Sequence, residues 1–104
     1  MKNSLILVSS LLASLISATP ALADMKLASA KNCLACHAVD KKLVGPSFKD
    51  IATKYTDQKD MADKLADKII KGGAGVWGPV PMPGNAQITP EESKRLASWV
   101  LTQK

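Results

Sequence analysis

The sequence predicts an all-α domain: about four short helices around one long structured loop. Three observations carry this. Apolar residues recur at spacings of three and four in several segments, which puts them on one face of a helix. No segment alternates apolar and polar residues as a half-buried strand does. The stretch from Gly72 to Gln87 holds five glycines and three prolines, too many for regular structure.

The first stretch stands apart. Lys2 gives a positive start, and an apolar run follows from Leu5 to about Ala18, broken by four serines. Pro20 and the small-residue pattern Ala21-Leu22-Ala23 complete the layout of a secretory signal peptide with an A-x-A cleavage site. The alternative is an uncleaved membrane anchor. The run is shorter than the roughly 18 residues a span needs, and it is rich in serine. Residues 1–23 are therefore read as a signal peptide and 24–104 as the mature domain. Losing Lys2 leaves thirteen basic and nine acidic residues, a formal charge of +4. A domain this short buries a thin core and usually needs a staple, a metal or a cofactor. Its aromatics are few: Phe48, Tyr55, Trp77 and Trp99. Something else should supply the large flat apolar body of the core.

The helices follow in order. Asp24 stands at the N-cap position of a helix over 25–32, with Leu27 and Ala30 as contact residues. Residues 33–37 continue or close it. Gly45-Pro46 punctuates a loop over 41–46. Ser47 caps a short helix whose apolar face is Phe48, Ile51, Ala52 and Tyr55. Asp60 caps a longer one through Lys71, with Met61, Leu65, Ile69 and Ile70 as its stripe and Gly72-Gly73 as its stop. Thr89-Pro90-Glu91-Glu92 is a capping box with proline at the first helical position. Leu96, Trp99 and Val100 form the buried side of this last helix, with Leu101 at its margin. A long loop in so small a domain argues for a function. Its prolines and glycines make it stiff, as a wall shaped against something would be.

The chemistry lies in Cys33-Leu34-Ala35-Cys36-His37. This is C-x-x-C-H, the attachment sequence of c-type haem. Residues three apart share a face of a helical turn, so the two thiols can each add to one vinyl group of a single porphyrin. His37 then brings an imidazole nitrogen to the iron. Other readings fail on the remaining sequence. A redox C-x-x-C needs a βαβ setting, and none is visible. A zinc site needs about four ligands, and these three residues exhaust the cysteines and histidines of the chain. A disulfide across three residues would close a trivial loop.

One histidine excludes bis-histidine ligation within the chain. The other usual ligand is methionine sulfur. The mature chain offers Met25, Met61 and Met82. Met25 lies at the amino end. Met61 sits at helical spacing with Leu65 and reads as core. Met82 has a proline on each side, Pro81 and Pro83, which limits its backbone and suits presentation of one soft sulfur. An open site or a lysine ligand is the rival reading.

The whole mature chain resembles the small bacterial class I cytochromes of the c-551 and c-552 type. The residues that carry the resemblance are Cys33 to His37, Val44-Gly45-Pro46, the segment Gly75-Val76-Trp77-Gly78-Pro79-Val80-Pro81-Met82-Pro83, Asn85 and the ending Trp99-Val100-Leu101. The resemblance implies the class I cytochrome c fold, one covalent haem c, and His37 and Met82 as proximal and distal ligands. It implies that the carbonyl of Pro46 orients His37, that Asn85 hydrogen-bonds near the Met82 sulfur, and that the Trp77 indole meets a haem propionate with Lys68 as charged neighbour. Trp99 reads more simply as packing the last helix on the first.

Two axial protein ligands leave iron no position for substrate, so its chemistry is the gain and loss of one electron. The expectation is a periplasmic electron carrier and not an enzyme. For this family the implied acceptors include nitrite reductase, cytochrome peroxidases and terminal oxidases. A haem enzyme would need a vacant site and a distal acid–base residue, and no second histidine exists. A gas sensor built on a four-helix bundle carries C-x-x-C-H near its carboxyl end, not near its amino end. Leu34, Ala35, Leu43, Val44, Val80, Pro81 and Pro83 belong to segments that flank the haem in the family. With Lys31, Lys41, Lys42 and Lys49 near the attachment site, they suggest an apolar docking patch rimmed by lysines on a monomer.

Overall fold

The computed structural model describes residues 20–104, with side chains from Leu22 onward. The apolar part of the proposed signal peptide lies outside the described residues. Four helices follow: α1 (Pro20–Ala30), α2 (Phe48–Lys54), α3 (Met61–Lys71) and α4 (Pro90–Leu101). A 3-10 turn, Cys33–Ala35, sits between α1 and α2. Among the described residues there is no strand, only two isolated backbone pairings, His37 with Lys42 and Gly73 with Met82. No described helix is long and apolar enough to cross a membrane.

Helix α1 begins upstream of its expected cap. Asp24 lies inside the helix, not at its N-cap, and is buried while paired with Arg95 of α4. A buried carboxylate needs such a partner. The helix ends two residues earlier than spacing suggests. Asn32 takes a left-handed conformation (φ 63°), one of the few residue types that does so at small cost, and this breaks the helix before Cys33.

Ser47 caps α2 as expected, its hydroxyl accepting from the Asp50 amide at 3.0 Å. The next cap is different. Asp60 occupies the N-cap of α3 in a left-handed conformation (φ 61°), and its side chain makes no capping bond. Position alone marked it as a cap, but side-chain capping needs the extended backbone that Ser47 and Thr89 adopt. Gly72 ends α3 at φ 80°, a conformation that favours glycine. At α4 the capping box is complete: Glu92 amide to Thr89 hydroxyl at 3.1 Å, and Thr89 amide to Glu92 carboxylate at 3.1 Å.

Helix α4 is the hub, packing on α1, α2 and α3. The core joins Ala28, Phe48, Ile88, Leu96, Trp99 and Val100. Trp99 meets Phe48 edge-on at 5.3 Å, so it binds the last helix to α2 as well as to α1. Ile88, ahead of the capping box, is 4% exposed and belongs to this core. The sequence pattern misses it, because an isolated apolar residue in a loop has no periodicity to reveal it.

Candidate haem site

The local structure of the motif follows from its turn. Cys36 donates to the Cys33 carbonyl at 3.2 Å and His37 to the same carbonyl at 2.9 Å. Cys33 opens the 3-10 turn and Cys36 caps it, and both line one cavity. No disulfide joins them. Burial pushes the Cys33 thiol up from its ordinary value, a backbone hydrogen bond opposes this, and Cys36 adds a smaller upward push.

His37 is held on three sides. Its Nδ1 donates to the Pro46 carbonyl at 2.7 Å, which leaves Nε2 as the free nitrogen. Its ring stacks on Phe48 at 5.3 Å and 24°. On the third side Gly45 comes so close that a Cβ there would lie 2.6 Å from His37 Cε1. Any residue but glycine would clash with the ring.

The opposite wall comes from the Gly/Pro-rich loop. Gly73 and Met82 pair through two backbone hydrogen bonds, 2.8 and 3.1 Å. Asn85 then anchors the returning chain to the end of α3, its amide donating to the Ile70 carbonyl at 3.0 Å and its side chain Nδ2 to the Ile69 carbonyl at 2.9 Å. The Asn85 side chain thereby braces the loop against α3. Gly84 lets the loop lie against α3, since a Cβ there would meet the Ile70 carbonyl oxygen at 2.7 Å.

Between these walls lies a cavity of about 470 Å³. All seven residues singled out from the sequence line it: Cys33, Cys36, His37, Pro46, Trp77, Met82 and Asn85. Phe48, Ile69 and Leu96 supply apolar surface. Among the described methionines, Met82 lines the cavity, whereas Met61 is buried in α3 at 6% exposure and Met25 packs against the core. Lys68 also reaches the lining. The donor set fits a haem: two thiols on one turn, one imidazole with a free Nε2, and one methionine, all lining the same cavity. It does not fit zinc, because no cluster of three or more His, Cys, Asp or Glu side chains among the described residues is set to hold a metal ion.

Sequence reasoning missed the surroundings of Trp77. The indole packs edge-on against Tyr55 at 6.5 Å, and the Lys54 ammonium lies 5.5 Å from its ring. Lys54 is a charged residue at a helix end, which no spacing rule singles out.

The model of the family described as Cytochrome c matches residues 25–104. The chain belongs to the cytochrome c family. Cytochrome c-552 of Nitrosomonas europaea is 52% identical to this cytochrome over 82 residues, 79% of this chain and 80% of the relative. Cytochrome c-551 of Pseudomonas denitrificans is 53% identical over 79 residues, 76% of this chain and 95% of the relative. The crystal structure of wild-type Nitrosomonas europaea cytochrome c552 superposes with a TM-score of 0.76 at 51% identity, covering 77% of this chain and 99% of that one. This cytochrome thus has the all-α class I fold and binds one haem c covalently through Cys33 and Cys36. Its business is electron transport.

Proposed function

We propose that this cytochrome is a periplasmic single-haem electron carrier whose iron is held by His37 and Met82, and that it has no enzymatic activity of its own. The observation that carries the reading is the shared cavity, with a ring-locked His37 on one wall and Met82, alone of the described methionines, on the other. Bound haem supplies reversible one-electron chemistry at iron. The chain's own part would be to hold the iron through His37 and Met82, to shield the group with Phe48, Ile69 and Leu96, and to orient His37 through Pro46. Methionine opposite histidine favours the reduced state relative to a more donating pair. Cleavage after Ala23 would release residues 24–104 to the periplasm.

The partners follow from the surface. Leu34, Leu43, Val44, Val76, Trp77 and Val80 are exposed and belong to the segments that line the cavity. An apolar patch with lysines nearby suits a small, quickly released contact between a monomer and a redox partner such as a nitrite reductase, a peroxidase or a terminal oxidase. Two variants test the reading together. Met82→Ala should remove the far-red sulfur-to-iron band of the ferric protein and admit carbon monoxide to the ferrous one. Val80→Asp should leave the spectrum intact and slow electron transfer to the partner. A Met82→Ala protein that keeps the band overturns the ligand assignment, and an unchanged rate in Val80→Asp overturns the docking patch.

A further inference from the structure

We propose that Lys54 is a positioning residue, clasping the apex of the Gly73–Met82 loop to the end of α2 and so setting how readily that loop, with Met82, lifts from the cavity. The loop is secured at its base by the two hydrogen bonds between Gly73 and Met82. Among the described residues no backbone hydrogen bond holds its apex. Val76 is 47% exposed and Val80 60% exposed, so burial does little to keep either in place. Trp77, between them, is 40% exposed yet sits in a defined contact. Its ring meets the edge of Tyr55, and the Lys54 ammonium lies 5.5 Å from the Trp77 centroid and 6.0 Å from that of Tyr55. Both residues of the clasp come from the last turn of α2, and Tyr55 is its C-cap.

A cation near two aromatic faces is attracted by their quadrupoles, more to tryptophan than to tyrosine. A lysine there also places its charge where the α2 dipole favours it. The clasp needs the long stem and the charge together. Arginine retains both, and methionine keeps most of the stem without the charge. The consequence for Met82 rests on the ligand assignment above; the clasp itself does not.

The test uses the haem-loaded protein as wild type, Lys54→Met, Lys54→Arg and Lys64→Met, the last a surface lysine of α3 that controls for lost charge. Hydrogen exchange of the Gly73 and Met82 amides, followed by NMR on the ferrous form, reads loop opening without reference to the iron ligand. Lys54→Met should speed both exchanges about two- to fivefold, the range expected for an exposed cation–aromatic contact, while Lys54→Arg and Lys64→Met stay near wild type. Binding of imidazole, a neutral probe, to the ferric form should quicken by the same factor. Unchanged exchange in Lys54→Met, or equal acceleration in Lys54→Arg or Lys64→Met, overturns the clasp. Faster exchange with unchanged imidazole binding supports the clasp and overturns Met82 as the ligand that must leave.

Discussion

His37 and Met82 face the same cavity, but they are tied to the protein in different ways. His37 reaches the core through one step: its ring stacks on Phe48, which is 3% exposed and packed against Trp99. The segment around it is stitched by amides of Gly45 to Cys36, Phe48 to Ala38 and Lys49 to Val39, at 2.8, 2.9 and 2.9 Å. Met82 is held by backbone pairing at Gly73 and by the Asn85 anchor to α3, with an exposed loop between. One wall is part of the core and the other is tethered to it. Opening should therefore begin at the Met82 side, since local opening favours segments with few buried contacts and many exposed hydrogen bonds.

The largest expected break in this contrast comes from truncating one aromatic on each wall. Phe48→Ala removes a buried ring that supports both His37 and Trp99, and should cost about 3–5 kcal/mol in chemical denaturation of the haem protein. Trp77→Ala removes a half-exposed ring and should cost clearly less. Equal losses would mean that the loop is as much a part of the core as the proximal segment.

Substitution of the two close-approach glycines sharpens the comparison. Gly45→Ala would put a Cβ 2.6 Å from the His37 ring, which Phe48 and Pro46 hold in place, and Gly84→Ala one 2.7 Å from the Ile70 carbonyl oxygen of α3. Each should cost about 1–3 kcal/mol, as overpacking does, with Gly45→Ala at the upper end. Gly84→Ala should also speed exchange of the Met82 amide, and Gly45→Ala should not. A reversed pattern of exchange would show that the two walls open together.

The smallest effect belongs to a point far from both walls. The Thr89 backbone amide holds the Glu92 carboxyl below its ordinary value, with smaller help from the Thr89 hydroxyl and Lys31. A carboxyl lowered on folding adds stability above its unfolded value and loses it as pH falls through the folded one. The stability difference between wild type and Glu92→Gln should thus be present at neutral pH and shrink on acidification through that window. It should leave exchange at Gly73 and Met82 unchanged relative to global unfolding. A difference that grows on acidification would reverse the sign of this coupling.

Much of this was legible in advance, and the legible part was local. C-x-x-C-H, the capping box and the Ser47 cap each act over three or four residues, so spacing reveals them. The helical stripes and the proline pair around Met82 are local in the same sense. What spacing could not show was which distant residue each group would meet. Asp24 looked like a cap and became the partner of Arg95, 71 positions away, because α1 lies on α4. Asn85 turned to the Ile69 carbonyl because the loop doubles back onto α3. Lys54 acquired a role only when Trp77 came to rest beside it. Local geometry determined the elements and the haem motif from the sequence itself. The partners depended on helix packing, which brings together residues that no short-range rule connects.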